Sequence, residues 1–176
     1  SNPGKLTFGS GGPGTTQHLS GELFNVLAGV KTMHVPYKSS AQMTIDAIGG
    51  QIDYVMHNAP VVQGYVQQGK LRGIAVTSSK RLAGVAELPT MIEAGLPGFE
   101  VTAWFGLLVP TGTPAAVISK IHTDAGRVLA MADIKERFQS QAAEIIGNRP
   151  DEFAAFIQAE TAKWAKVIKL SGAKPE

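Results

Sequence analysis

The residues best placed for chemistry form a glycine-rich loop near the start of the chain. The loop, Gly9-Ser10-Gly11-Gly12-Pro13-Gly14, follows a short apolar run at 6–8 and precedes apolar residues at three- and four-residue spacing. A strand that ends in glycines and opens a helix presents unpaired backbone N–H groups and the positive end of a helix dipole. The loop therefore predicts an anion-binding site.

Two phosphate-binding motifs match this loop in part. The spacing fits the dinucleotide fingerprint G-x-G-x-x-G, but about 20 residues further on no acid is present to bind a ribose. Lys38 lies there instead and would suit a 2′-phosphate, which keeps an NADP-dependent oxidoreductase domain as the alternative. The P-loop motif fails because Thr15 replaces its lysine. A tight turn without any ligand is a third explanation of the glycines.

Other candidate catalytic and metal-binding side chains are scattered along the chain. The four histidines lack the three- or four-residue spacing of a helical metal pair, so we expect no metal site. His18 and His57 each lie where they could bind either an anion or a backbone carbonyl. Ser10 is not in the G-x-S-x-G turn of serine hydrolases, and the carboxylates share no spacing typical of acid–base pairs. We therefore expect no catalytic residue.

Composition restricts the classes of partner. The 176 residues are 44% apolar and include 16 Lys and Arg, 14 Asp and Glu, and no Cys. A net charge of +2 is too small for an electrostatic nucleic-acid binder, and the absence of Cys excludes disulfides and thiolate chemistry. No apolar run approaches the length of a membrane span, and residues 1–5 lack the features of a signal peptide.

Strands and helices alternate through the first half of the chain. Strands are predicted at 6–8, 33–37, 51–57 and 71–77; between them lie helices from the N-cap Thr15 to Gly29, from Ser39 or Ser40 to Gly49, and at 60–68. This alternation predicts a parallel α/β sheet. After a loop-rich stretch at 78–100, we predict a long apolar strand at 101–109, a helix with Thr113 as N-cap and a buried apolar stripe, a helix from about Asp133, a short strand at 144–146 and a last helix from Pro150.

An ordered series of motifs resembles one known family. It includes Pro3-Gly4-Lys5-Leu6, the glycine loop with His18-Leu19, His34-Val35-Pro36-Tyr37-Lys38, Gly49-Gly50-Gln51-Ile52-Asp53, Gly69-Lys70-Leu71-Arg72, Thr113-Pro114-Ala115 and Trp164-Ala165-Lys166. In this order the motifs are similar to the Bug family, the TctC-like extracytoplasmic substrate-binding proteins of tripartite tricarboxylate transporters. The resemblance covers essentially the whole chain. It implies an α/β fold of the periplasmic-binding-protein type II (Venus flytrap) kind, with two hinged lobes.

The resemblance also implies what such a protein binds and where. The expected function is capture of a small organic mono- or dicarboxylate and its delivery to membrane transporter subunits, without a cofactor and without chemical change. The expected location is the periplasm. The implied ligand-binding residues are Ser10, Gly11, Gly12, Pro13, Gly14, Thr15, Thr16, His18, Tyr37, His57, Asn58 and Ala59.

Family members resemble this chain only over their C-terminal portion. Residues 1–99 would then be most of the second lobe, and residues 100–176 would be a crossover strand and the C-terminal part of the first lobe. The N-terminal part of the first lobe and the signal peptide would be absent. We expect the apolar surface left by that segment to favour self-association.

Overall fold

Three short parallel strands organise the first half of the chain in the computed structural model, which describes residues 4–141 and 143–173. The strands lie in the order β2-β1-β3, so that Phe8 on β1 pairs with His34 on one side and with Tyr54 on the other. Their bounds are Thr7–Ser10 for β1, Met33–Pro36 for β2 and Tyr54–Val55 for β3.

Helices cover both faces of this sheet. Side chains alternate along a strand, and Phe8 packs against helix α1 at Gly21, where a Cβ atom would overlap the phenyl ring. On the opposite face, a Cβ at Gly9 would lie 2.7 Å from Cγ of Met43 on helix α2. Right-handed crossovers between parallel strands give this arrangement. The helices are α1 (Thr16–Ala28), α2 (Ser40–Ile48) and α3 (Ala59–Gln67).

The chain divides into two compact units, and the first contains the sheet. It runs through Ala103 and resumes at Ala162. The hydrophobic core of this unit draws on segments far apart in sequence, and a 3₁₀ helix at Ala83–Val85 lies in the loop-rich stretch. The buried core residues are Leu23, Phe99, Val101 and Val167, with Phe24, Met56, Met91, Leu96 and Trp164 packed against them.

The second unit, Trp104–Thr161, is helical. The Trp104 ring meets Phe153 and Phe156 edge-on, with ring centroids 5.6 and 5.4 Å apart. Among the described helices, none has the length and apolar character needed to cross a membrane. The elements are α4 (Ala115–Leu129), α5 (Ala132–Ser140) and the first half of α6 (Pro150–Ser171), whose second half belongs to the first unit.

Several expected elements are confirmed. Thr15 is the N-cap of α1 and Gly29 its C-cap, with φ of 62°, and Ser39 is the N-cap of α2. The last helix begins at Pro150 as expected. These boundaries are set by local chemistry, because a hydroxyl can accept from a first-turn N–H and glycine adopts positive φ without strain.

Other expected elements are wrong. Only Tyr54 and Val55 of the strand expected at 51–57 are paired, and residues 71–77 contribute a single bridge, Val76 to Thr90. Residues 101–109 and 144–146 form no strand, since a strand needs a hydrogen-bonded neighbour and the described residues supply none beyond Thr77 O, which accepts from Val101 N.

The region around α4 also differs from the expectation. Pro114, not Thr113, is the N-cap residue, because the Thr113 hydroxyl donates to Pro110 O (2.8 Å). No residue of α4 is buried, so the stripe expected to be buried is at most partly covered; it comprises Val117, Ile118, Ile121, Ala125, Val128 and Leu129. The assignment of residues 1–99 and 100–176 to two lobes stays a prediction. The two compact units described above are defined only by contacts within this chain.

Candidate functional site

Three helices begin at the carboxyl edge of the sheet. Strands β1, β2 and β3 end at Ser10, Pro36 and Val55, and α1, α2 and α3 start a few residues later. Ligands of open parallel sheets bind at this edge, at the point where successive crossovers leave for opposite faces. The order β2-β1-β3 puts that point between β1 and β3.

The glycine loop after β1 is closed by its own hydrogen bonds. Its glycine amides donate locally: Gly11 to Gln17 Oε1 (2.8 Å), Gly12 to Ser10 Oγ (3.1 Å) and Gly14 to His18 Nδ1 (3.1 Å). Pro13 has no N–H to offer. The expectation that these amides are unpaired is therefore wrong, and the loop has no open amide row for a pyrophosphate. This geometry counts against the NADP alternative.

A stack of neutral rings lies behind the loop. The rings of His18 and His34 are parallel, with centroids 4.0 Å apart, and Ser10 Oγ lies 2.6 Å from His34 Nε2. Burial lowers the pKa of His34 to about 4, helped by the neighbouring His18, whose own pKa burial also lowers. The Ser10–His34 distance is that of a nucleophile and its base, but Ser10 is fully buried in this structure.

A small cleft opens between the first turn of α1 and the loop after β3. It measures about 40 Å³, enough for a few water molecules or one carboxylate group. Its lining residues are Thr16, Gln17, Ser20, Met56, His57, Asn58, Thr77, Val101 and Ala103, none of them charged at neutral pH. The cleft thus has uncharged walls, partly polar and partly apolar, at the carboxyl edge of the sheet.

The first turn of α1 lines this cleft and contains two N–H groups without an acceptor among the described residues. Four N–H groups at the start of α1, those of residues 15–18, have no partner within the helix; the Thr15 N–H donates to Gly12 O (3.3 Å) and the His18 N–H to Thr15 Oγ1 (3.3 Å). No described group accepts from the N–H of Thr16 or Gln17. Both residues line the cleft and lie at the positive end of the helix dipole.

His57 and Asn58 form the opposite wall. His57 Nδ1 accepts from the Asn58 N–H (2.8 Å), and His57 Nε2 is buried without a hydrogen-bond partner among the described residues. Burial lowers the pKa of His57, and a hydrogen-bonding interaction with the backbone of Ser40 opposes this shift. Asn58 is the N-cap of α3 but makes no side-chain cap bond.

The structure brings together only part of the expected site. Thr16, His57 and Asn58 line the cleft, and Ala59 begins α3 beside it. The Tyr37 hydroxyl instead donates to Asp46 Oδ2 (2.9 Å) on α2. The remaining expected residues lie in the loop or behind it: Ser10, Gly11, Gly12, Pro13, Gly14, Thr15 and His18. Ligand contact by any of these residues stays a prediction.

Sequence reasoning missed most of the lining residues. Gln17 and Ser20 lie one and four residues after Thr16 in the first turns of the helix that Thr15 caps, so helical spacing from that cap would have found them. Thr77, Val101 and Ala103 come from distant, irregular segments, for which no local pattern exists.

A larger groove of about 610 Å³ lies in the second unit, between α4 and the start of α6. Its charged groups, Arg149 and Asp151, pair with each other at 3.1 Å and are both about two-thirds exposed. It therefore offers no desolvated donor, and we place the site in the cleft instead. The described residues contain no group of three or more His, Asp or Glu side chains able to hold a metal ion.

An open parallel sheet with helix N-termini around a small cleft is the architecture of α/β proteins that bind ligands at the carboxyl edge of the sheet. The chain belongs to the TctC family: residues 1–173 match the family model described as "Tripartite tricarboxylate transporter family receptor".

Relatives in this family support the same fold. Protein BugT of Bordetella pertussis is 33% identical, over 98% of this chain and 53% of BugT. The structure "R. palustris Rpa4515 with adipate" is 35% identical with a TM-score of 0.88, over 99% of this chain and 58% of that one. The structure of periplasmic binding protein BugD is 32% identical with a TM-score of 0.84, over 99% of this chain and 59% of BugD. The chain spans about half the length of most of the curated relatives it matches.

Proposed function

We propose that this chain forms one carboxylate-binding wall of a periplasmic solute-binding protein, which captures a small organic mono- or dicarboxylate and delivers it to a tripartite tricarboxylate-type transporter. The observation that carries the proposal is the pair of open N–H groups of Thr16 and Gln17 at the cleft. Family membership supports it, and so does the adipate bound to a relative.

The chemistry of the cleft suits capture and release. Backbone amides at a helix N-terminus bind an anion without a charged side chain. The lining contains no Lys or Arg, and the neighbouring Met56, Val101 and Ala103 are apolar. A carboxylate on an aliphatic chain fits such walls. No group in the cleft is positioned to activate a nucleophile, so the function needs binding alone.

The test removes one amide without removing the helix. Thr16 is the first residue of α1, where proline is favourable, and Thr15 has the extended conformation (φ −68°, ψ 156°) that a following proline requires. Thr16→Pro deletes the N–H, whereas Thr16→Ala keeps it and deletes only the side chain. Adipate is the probe and neutral adipamide its uncharged counterpart, both titrated calorimetrically.

We expect Thr16→Pro to weaken adipate binding about tenfold or more, since a hydrogen bond to a charged group contributes about 1.5–3 kcal/mol. Thr16→Ala should bind within about threefold of the wild type, and adipamide should not bind. Equal affinity in Thr16→Pro and Thr16→Ala would contradict the site. Stabilisation by NADP and by no carboxylate would favour the oxidoreductase alternative.

A further inference from the structure

The Gly14 amide is held by a side chain that can take up a proton. Gly14 N–H donates to Nδ1 of the buried His18 at 3.1 Å. Nδ1 therefore presents its lone pair, and the neutral ring carries its hydrogen on Nε2. The amides of Gly11 and Gly12 donate instead to an amide oxygen and a hydroxyl, which do not titrate near neutral pH. Gly14 differs from them because its acceptor does.

Two titratable groups face His18 among the described residues. Glu22, one turn further along α1, places Oε1 3.8 Å from Nε2, and the ring of His34 on β2 lies parallel at 4.0 Å. β1 contributes the apolar ring of Phe8 at 6.4 Å, and Tyr54 of β3 stacks on Phe8 in turn.

The two stacked histidines compete for one proton. Two cationic rings at 4.0 Å repel each other, so the pair takes up a single proton first. The Glu22 carboxylate favours the cationic form of His18, the ring that it faces, although burial raises the pKa of Glu22 itself. The first proton therefore goes to His18.

A proton on Nδ1 turns the acceptor of the Gly14 amide into a second donor. The two N–H groups would then oppose each other across 3.1 Å. Gly14 has room to move away, because a Cβ atom there would meet nothing within 4 Å and its φ of 76° is one that glycine adopts without strain. The preceding Pro13 has no N–H with which to hold the segment.

We propose that protonation of His18 releases the Gly14 amide, so that residues 13–14 of the glycine loop are held closed near neutral pH and open in mild acid. This switch goes beyond the proposed function and needs no ligand. Burial lowers the pKa of His18 from its usual 6.5, and it lowers that of His34 to about 4. The loop is therefore closed above pH 6.5 and opens as the pH falls through the lowered pKa of His18. The open loop adds an unpaired N–H donor beside the first turn of α1.

Two-dimensional ¹H–¹⁵N NMR of the wild-type chain from pH 7.5 to pH 5 tests the switch. We expect the Gly14 amide proton to move upfield, because it loses its hydrogen bond, with the same midpoint as the ring nitrogens of His18. The Gly11 amide, whose acceptor does not titrate, should stay nearly unchanged. A Gly14 resonance that stays in place while His18 titrates would overturn the proposal, and so would a Gly11 resonance that moves as far as that of Gly14.

Two variants assign the effect to one ring. Asparagine places Oδ1 near the position of Nδ1 and accepts from Gly14 N–H without titrating, so His18→Asn should abolish the Gly14 transition. His34→Gln is the matched control, because it removes the other ring of the pair and should keep the transition. Urea unfolding at pH 7.5 checks that both variants are folded.

A Gly14 transition that persists in His18→Asn, or that disappears in His34→Gln, would contradict the role of His18. If His18→Asn does not fold, the agreement or disagreement of the Gly14 and His18 midpoints in the wild type decides alone. No carboxylate enters the experiment, so its outcome is independent of the proposed function.

Discussion

His34 links the loop to the stability of the fold through its protonation state. Its ring contacts the rings of Phe8 and His18, at centroid distances of 5.0 and 4.0 Å, and its Nε2 lies against Ser10 Oγ. Burial lowers the pKa of His34 from its usual 6.5 to about 4. Between pH 6.5 and about 4, therefore, this histidine is protonated in the unfolded chain and neutral in the folded chain. The contribution of neutral His34 to the free energy of unfolding is fully present above pH 6.5 and is lost as the pH falls toward 4.

We predict that the free energy of unfolding falls by up to about 3 kcal/mol between pH 6.5 and 4 through His34, less where water screens its partly exposed ring. His34→Gln can still bond to Ser10 but does not titrate. Urea unfolding at pH 7 and pH 4.5 should show a smaller loss in His34→Gln than in the wild type. The slope should flatten but not vanish, because burial also lowers the pKa of His18 and of His57. Parallel pH profiles would contradict the prediction.

At the scale of elements, the start of α1 depends on one hydroxyl. Thr15 Oγ1 accepts from His18 N–H (3.3 Å) and donates to Gly12 O (2.7 Å). The same hydroxyl therefore caps the helix and closes the glycine loop. We predict that Thr15→Ala lowers the free energy of unfolding by about 1 kcal/mol. Thr15→Ser should lose much less, because it keeps the hydroxyl that caps the helix. Chemical denaturation of the three proteins measures the difference. Equal stability of Thr15→Ala and the wild type would show that the cap contributes nothing.

The sequence predicts those elements whose ends are decided locally. Helices α1 and α2 follow from Thr15, Gly29 and Ser39, because caps act over a few residues. Strands depend on neighbours that a local pattern does not contain. Residues 101–109 are as apolar as a buried strand, yet they pair with no strand among the described residues.

The sequence likewise predicts only part of the candidate site. The glycine loop and Thr16 are adjacent to a helix start, so the motif predicts the candidate anion-binding edge of the sheet. The cleft itself does not, because Thr77 and Val101 reach it through the tertiary fold. The open amides also belong to Thr16 and Gln17 and not to the glycines, since side chains of the first helical turn satisfy the glycine amides. A sequence motif does not show which of its donors are already used.

At the scale of the whole molecule, one apolar segment is exposed along its length. In residues 104–109, Phe105 is 93% exposed, Leu107 73% and Leu108 75%. No described group pairs with the backbone N–H and C=O groups of 102–109. Exposed apolar side chains together with unpaired backbone N–H and C=O groups are features through which one chain recruits another. We therefore retain self-association as a prediction for the chain as given.

We predict that the wild-type chain sediments as concentration-dependent oligomers, and that the double variant Phe105→Lys/Leu107→Lys shifts them toward the monomer. Charges at these positions oppose edge pairing and remove apolar contact area. Ile74→Lys is the matched control, because Ile74 is also 73% exposed but lies outside the segment, and this variant should associate like the wild type. Sedimentation velocity across a range of concentrations measures all three. A monodisperse wild-type monomer would refute the prediction. An effect of Ile74→Lys equal to that of the double variant would assign the association to net charge and not to this segment.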